Sequence, residues 1–208
     1  MKNRIEKMKL QKDFYLREDV AGISKELLGK YLFTKIDGKV TAGVITETEA
    51  YAGETDKASH AYSGRRTNRT EIMFAEGGVS YVYLCYGIHH LFNVVTNYRD
   101  IPHAVLVRAV KPVEGIKTIL ERRKLETSQI QIEQVKSGKK KIAGGPGTVS
   151  QALGIQTIHT GLDLTQNKIW IEDKGILVKP KDIVAGPRIG VDYAGEDAKL
   201  PYRFIINI

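Results

Sequence analysis

Apolar positions recur along this chain with two spacings. Val20, Ile23, Leu27 and Leu28 fall on one helical stripe within residues 19–28, and Gly29 stops it. Tyr31 to Thr34 and Lys39 to Tyr51 alternate as strands, with Asp37-Gly38 as the turn between them. Val79 to Tyr86 and Ile88 to Thr96 read as paired strands, and Ala104 to Val110 as another. Val113 to Leu125 reads as a helix, and Gly144-Gly145-Pro146-Gly147 precedes a short one at Val149 to Leu153. Short strands are expected at Ile169 to Glu172, near Arg188, and at Tyr202 to Ile206. Three stretches are polar instead. Residues 1–16 are expected to be partly loose, 1–9 above all, and residues 126–141 to be a mobile insertion. Residues 52–70 form a long polar loop, which inside a compact domain is functional or disordered. The pattern reads as one domain of mixed strands and helices over residues 1–208, long enough for a sizeable core.

The strand faces carry the candidate chemistry. Residues two apart share a face, so Glu47, Glu49 and Tyr51 line up, as do Tyr81 and Tyr83. A carboxylate beside several rings suits a flat, electron-poor or cationic ligand. Each residue also has a plainer reading. Glu49 is either a general base or a surface carboxylate, and Glu47 is its control on the same face. The tyrosines either stack on a ligand or pack. Tyr86 precedes Gly87 at a hairpin tip, where an aromatic can act as a wedge in a duplex. His60 sits in the polar loop, where a lone histidine is commonly just exposed. Asn93 and Arg108 interrupt apolar strand faces and need a partner or a function.

Composition narrows the classes. Apolar residues are 42% and charged residues 27%, ordinary for a folded protein. Apolar runs are too short to span a membrane, and the start lacks a signal-peptide core, which makes a cytoplasmic protein the simplest expectation. The single cysteine, Cys85, rules out an internal disulfide and a cysteine-based zinc site. The net charge of +8 fits a polyanionic partner, although it also serves solubility. Arg65, Arg66 and Arg69 share a loop with Thr67 and Asn68, a phosphate-contacting mixture, whereas Lys139-Lys140-Lys141 reads equally as a solvated loop. The glycines at 144–147 offer backbone amides to a phosphate, but no Lys-Ser/Thr follows, so a nucleotide P-loop is not expected.

In order, these segments resemble the alkyladenine (3-methyladenine) DNA glycosylase family from about Leu10 to the C-terminus. The matching pieces are Glu47-Thr48-Glu49-Ala50-Tyr51 with His60; Gly64-Arg65-Arg66-Thr67 with Met73-Phe74; Tyr81-Val82-Tyr83 with Tyr86-Gly87 and Asn93-Val94; Leu106-Val107-Arg108-Ala109 with Pro112 and Glu114-Gly115; Gly145-Pro146-Gly147 with Gln151-Ala152-Leu153; and Pro187-Arg188-Ile189-Gly190 with Pro201-Tyr202-Arg203-Phe204. The resemblance implies a single α+β domain around antiparallel sheet, with flanking helices and a protruding hairpin. It also implies excision of alkylated purines from double-stranded DNA by a monofunctional hydrolase, likewise a monomer with no metal and no cofactor. Glu49 would activate the attacking water. Tyr51, His60, Tyr83, Asn93 and Arg108 would form the base pocket, with Asn93 disfavouring guanine's amino group. Tyr86 would fill the gap in the duplex. Arg65, Arg66, Thr67, Arg69, Gly145 and Gly147 would contact DNA. Asn68, Thr148 and Val149 depart from the family pattern, which bears on backbone contacts rather than chemistry. A non-catalytic nucleic-acid-binding module and a nucleoside hydrolase are the rival classes.

Overall fold

Two long strands form the spine of the computed structural model, which describes residues 8–208. They are β2 (Lys39–Tyr51) and β5 (His103–Glu114), paired antiparallel along most of their length. β1 (Tyr31–Ile36) pairs with the first half of β2, and β6 (Ile169–Glu172) extends the sheet beyond it. On the other side of β5 lies the hairpin of β3 (Val79–Cys85) and β4 (His89–Thr96). β7 (Val184–Gly186) and β8 (Arg203–Ile205) complete the sheet, with β8 on the second half of β2. Among the described residues the order is β3-β4-β5-β2-β1-β6, with eight strands in all and their pairings antiparallel.

Strand alternation separates two faces. Ala50, Val82, Phe92, Val94, Val105 and Val107 point into the main core. Against them pack α2 (Val20–Glu26), α3 (Ile116–Arg122), α4 (Gln129–Lys136) and α5 (Pro146–Leu153), after the one-turn α1 (Lys12–Tyr15). Asp19 caps α2 by accepting the Gly22 amide at 2.7 Å. One buried polar joint ties α2 to β2, where Ser24 Oγ donates to Thr48 Oγ1 at 3.0 Å. The opposite face carries Tyr51, Tyr81, Tyr83, Leu91, Asn93, Leu106 and Arg108, and it lines a cleft. The fold is thus α+β, with helices on one sheet face and chemistry on the other.

Several expectations need correction. The helix expected from Val113 begins only at Ile116, because β5 continues to Glu114 and Gly115 turns the chain at φ 66°. A Cβ at Gly115 would stand 2.4 Å from the Val40 carbonyl. Pro112 is tolerated inside β5 because it faces Gly43 at a shift of register, where a missing donor does least harm. The polar stretch 126–141 is not a loose insertion. It contains α4, capped by Ser128, with Val135 buried against the core. Polarity misleads there because the helix buries one narrow stripe. Within the polar start, Leu10 and Tyr15 are buried and Lys9 pairs with Glu172 in a β-bridge, so this part of the segment is anchored to the fold. The looseness expected of residues 1–7 lies outside the described residues. The strand expected near Arg188 ends at Gly186.

Candidate active site

The cleft has a volume of about 620 Å³ and opens between the β3–β4 hairpin, the 52–70 loop, the start of α5 and the segment 189–193. The 52–70 loop is ordered. Asp56 accepts the amides of Ala52 and Ala58, each at 3.0 Å. Its carboxylate is held by Arg188, whose Nη2 donates at 2.8 Å while Nη1 donates to both Asp56 and the Ala50 carbonyl. Both side chains are almost fully buried. Burying this pair requires full hydrogen bonding, and Arg188 Nε alone among its donors lacks a partner. The Arg188 guanidinium also lies 4.8 Å from the centre of the Tyr51 ring. The sequence pattern assigns no task to Arg188 within Pro187-Arg188-Ile189-Gly190, nor to Asp56 in the polar loop. A charged residue between Pro187 and Ile189 was the available signal.

The two candidate carboxylates of β2 have different surroundings. Glu47 Oε1 accepts from Arg108 Nε at 2.9 Å and from Arg203 Nε at 2.6 Å. Glu49 is 0% exposed. Its Oε2 accepts from the Tyr51 hydroxyl at 2.8 Å and from Arg108 Nη1 at 3.4 Å, and its Oε1 accepts the Ile189 amide at 2.8 Å. Burial pushes the Glu49 carboxyl above its ordinary value, and Arg108, the Ile189 amide and the Tyr51 hydroxyl oppose the rise. Burial and the neighbouring Glu49 also push the Tyr51 hydroxyl well up, so it donates.

Aromatic rings form the cleft walls. His60 stands edge-on to Tyr83, with centroids 4.7 Å apart at 81°, and Tyr81 lies 5.4 Å from Tyr83. The His60 Nδ1 and the Tyr81 hydroxyl are 2.9 Å apart. Burial, helped by Arg69 and Arg65, lowers the His60 pKa to about 4, so the ring is neutral at pH 7. Asn93 is buried and its Nδ2 donates to the Tyr81 and Leu91 carbonyls at 3.1 and 3.3 Å, which fixes its orientation.

The expected DNA-contacting residues are arranged unevenly. Arg65 and Thr67 are exposed beside the cleft. Arg66 is clamped by Glu71 and Asp100. Arg69 reaches into the cleft instead of along the loop surface. Gly145 caps α5, and its amide already donates to Thr148 Oγ1 at 3.0 Å. Gly147 lines the cleft where a Cβ would come 2.9 Å from the His89 ring. Tyr86 stands clear of the fold at 90% exposure, with Leu84 and Ile88 exposed beside it. Among the described residues no group of three or more His, Cys, Asp or Glu is placed to hold a metal ion, and no helix is long and apolar enough to cross a membrane.

A buried carboxylate behind an aromatic cleft, beneath an exposed aromatic tip and within a basic chain, is the arrangement of an enzyme acting on nucleobases. Comparison with known proteins makes this specific. The methylpurine-DNA glycosylase (MPG) family matches residues 13–208. A Chlamydia felis protein named "Putative 3-methyladenine DNA glycosylase" is 45% identical over 199 residues, covering 96% of each chain. Proteins of the same name from Clostridium perfringens and Bacillus cytotoxicus are 42% and 43% identical over 201 and 200 residues, covering 96% and 95% of each chain. The chain belongs to the methylpurine-DNA glycosylase family. It is therefore a DNA N-glycosylase, a hydrolase of base excision repair whose substrate is DNA.

Proposed function

We propose that this enzyme rotates an alkylated purine of the 3-methyladenine type out of duplex DNA and hydrolyses its glycosidic bond with water activated by Glu49. The observation that carries this reading is the contrast between the two carboxylates. Glu47 is spent on two arginines, whereas Glu49 is desolvated behind the cleft and hydrogen-bonded to the cage residue Tyr51.

A base within a duplex cannot reach such a cleft, so it must be extruded. Tyr86 is placed to fill the vacated stack. Alkylation at a purine ring nitrogen puts positive charge on the base and weakens its bond to the sugar. Tyr51, His60 and Tyr83 offer ring faces and edges to that cation, each good face contributing about 0.5–2 kcal/mol. Asn93, its amide fixed, would exclude a base carrying an extra amino group. As the C1′–N bond breaks, the base leaves with the electron pair and loses its charge. The sugar becomes oxocarbenium-like, and the Glu49 carboxylate stabilises it. Water then bonds to C1′ and gives a proton to Glu49. Because Glu49 is fully buried, the water must displace one of its present bonds, and the 3.4 Å contact to Arg108 is the weakest of them. No lysine lines the cleft among the described residues, which supports water, not an amine, as the nucleophile. The protein acts as a monomer on the damaged duplex.

The test is base release from duplexes carrying single lesions, with the liberated base and the abasic strand both quantified. Release of 3-methyladenine with an intact abasic strand is expected. Release of no alkylated purine, or strand cleavage through an enzyme-linked imine, would overturn the proposal.

A further inference from the structure

Among the described residues Arg69 and Arg108 line the cleft, with Arg188 buried behind it, and of these Arg69 alone has no carboxylate partner. Arg108 is paired with Glu47 and Glu49, and Arg188 with Asp56. The Arg69 guanidinium lies 4.8 Å from the centre of the Tyr83 ring. Its Nε donates to the Tyr81 hydroxyl at 3.4 Å and its Nη2 to His60 Nε2 at 3.3 Å. Both hydrogen bonds are long, and the residue is exposed at the end of a surface loop. It therefore holds a ring face that a cationic purine would use, with contacts weak enough to give up. Two cations cannot share that face without repulsion.

We infer that Arg69 is a placeholder cation, seated on Tyr83 in the DNA-free enzyme and drawn out by a backbone phosphate, so that the cage opens to a cationic purine only on DNA. The inference rests on the base-flipping reading above. The exchange is favourable because a guanidinium–phosphate pair is charge-assisted, while an exposed ring contact is weak. It also changes His60. An arginine can only donate, so Nε2 accepts while Arg69 is in place, and Nδ1–H donates to Tyr81. Departure of Arg69 leaves the Nε2 lone pair free to accept from the incoming base. Cationic nucleosides free in solution carry no duplex phosphates, and the seated arginine excludes them.

The experiment uses the full chain with Glu49→Gln to block turnover, with and without Arg69→Gln, which keeps a donor but removes the charge. The probes are 1-methyladenosine, a purine cation at pH 7, and neutral adenosine, both followed by calorimetry. Arg69→Gln should bind 1-methyladenosine about two- to fivefold more tightly, the factor of one exposed cation–π contact, and leave adenosine unchanged. Arg69→Lys, which keeps the charge, should gain less. On duplex DNA, Arg69→Gln should reduce the slope of log affinity against log salt by about 1. Unchanged or weaker 1-methyladenosine binding, or an unchanged slope, would overturn the placeholder. Excision by the otherwise unaltered enzyme separates the two readings. If alkylated duplex is processed while the nucleoside result is flat, only the placeholder falls. If it is not processed, the flipping reading falls with it.

Discussion

Two glutamates two residues apart on one strand differ only in what surrounds them. Glu49 must be ionised to accept a proton, yet burial raises its pKa and Arg108 holds it down. The acid limb of kcat/KM should therefore lie above the ordinary glutamate range. Arg108→Gln should move it to still higher pH, measured in single-turnover profiles, and a limb that stays or moves lower would detach Arg108 from Glu49. Stability carries the opposite signatures of two residues. A raised carboxyl binds more protons folded than unfolded, so Glu49 costs stability as pH rises above its ordinary value. His60 falls from 6.5 to about 4, so its contribution is lost as pH drops through that window. Arg188 is a structural counterpart. Arg188→Ala leaves Asp56 buried and unpaired, at a cost of about 3–5 kcal/mol, or roughly 6–20 °C in melting temperature. A thermal melt within 2 °C of wild type, on the order of the shift one kcal/mol gives, would show that the pair does not anchor the loop.

At the scale of elements, the β3–β4 hairpin is the informative case. Tyr86 and Gly87 have φ of 51° and 73°, and Ile88 N–H closes the turn on the Cys85 carbonyl at 3.1 Å. Such turns favour asparagine or glycine at the first position, and tyrosine there is strained. Nothing in the fold requires the ring, which is 90% exposed. Tyr86→Asn should leave the melting temperature unchanged or raise it, while excision from duplex falls more than excision opposite a gap. A lower melting temperature with an unchanged duplex-to-gap ratio would make Tyr86 a packing residue. This hairpin was legible because alternation and a Tyr-Gly tip are local signals. So were β2, with Glu49 and Tyr51 on one face, and α2 with its cap. The end of β5 was not, because it is set by the pairing of Glu114 with Ala42 of β2, far away along the chain. α4 was missed because a helix that buries chiefly Val135 looks polar. The Asp56–Arg188 pair spans 132 positions and leaves no local trace. Nor could the sequence separate Arg66, clamped by acids, from Arg69, seated in the cleft.

At the scale of the molecule, the charge of +8 meets a polyanionic substrate. Log affinity for duplex should fall linearly with log salt. Arg65→Ala should reduce that slope by about 1, and Arg66→Ala by less, since its charge is already met by Glu71 and Asp100. Equal slopes for both variants and wild type would mean that this loop faces solvent in the complex. The main core lies on one sheet face and the cleft on the other, where a second, smaller buried cluster includes Tyr81 and supports the cleft wall.

The central claim is that Glu49, and not Glu47, activates the water. Single-turnover release of 3-methyladenine from duplex DNA, compared for wild type, Glu49→Gln and Glu47→Gln, tests it most directly. Glu49→Gln should still bind the lesion and lose roughly 10²–10⁴-fold in rate, the range of a positioned base, while Glu47→Gln loses far less. Full activity in Glu49→Gln, or the reverse ranking of the two, would contradict the account.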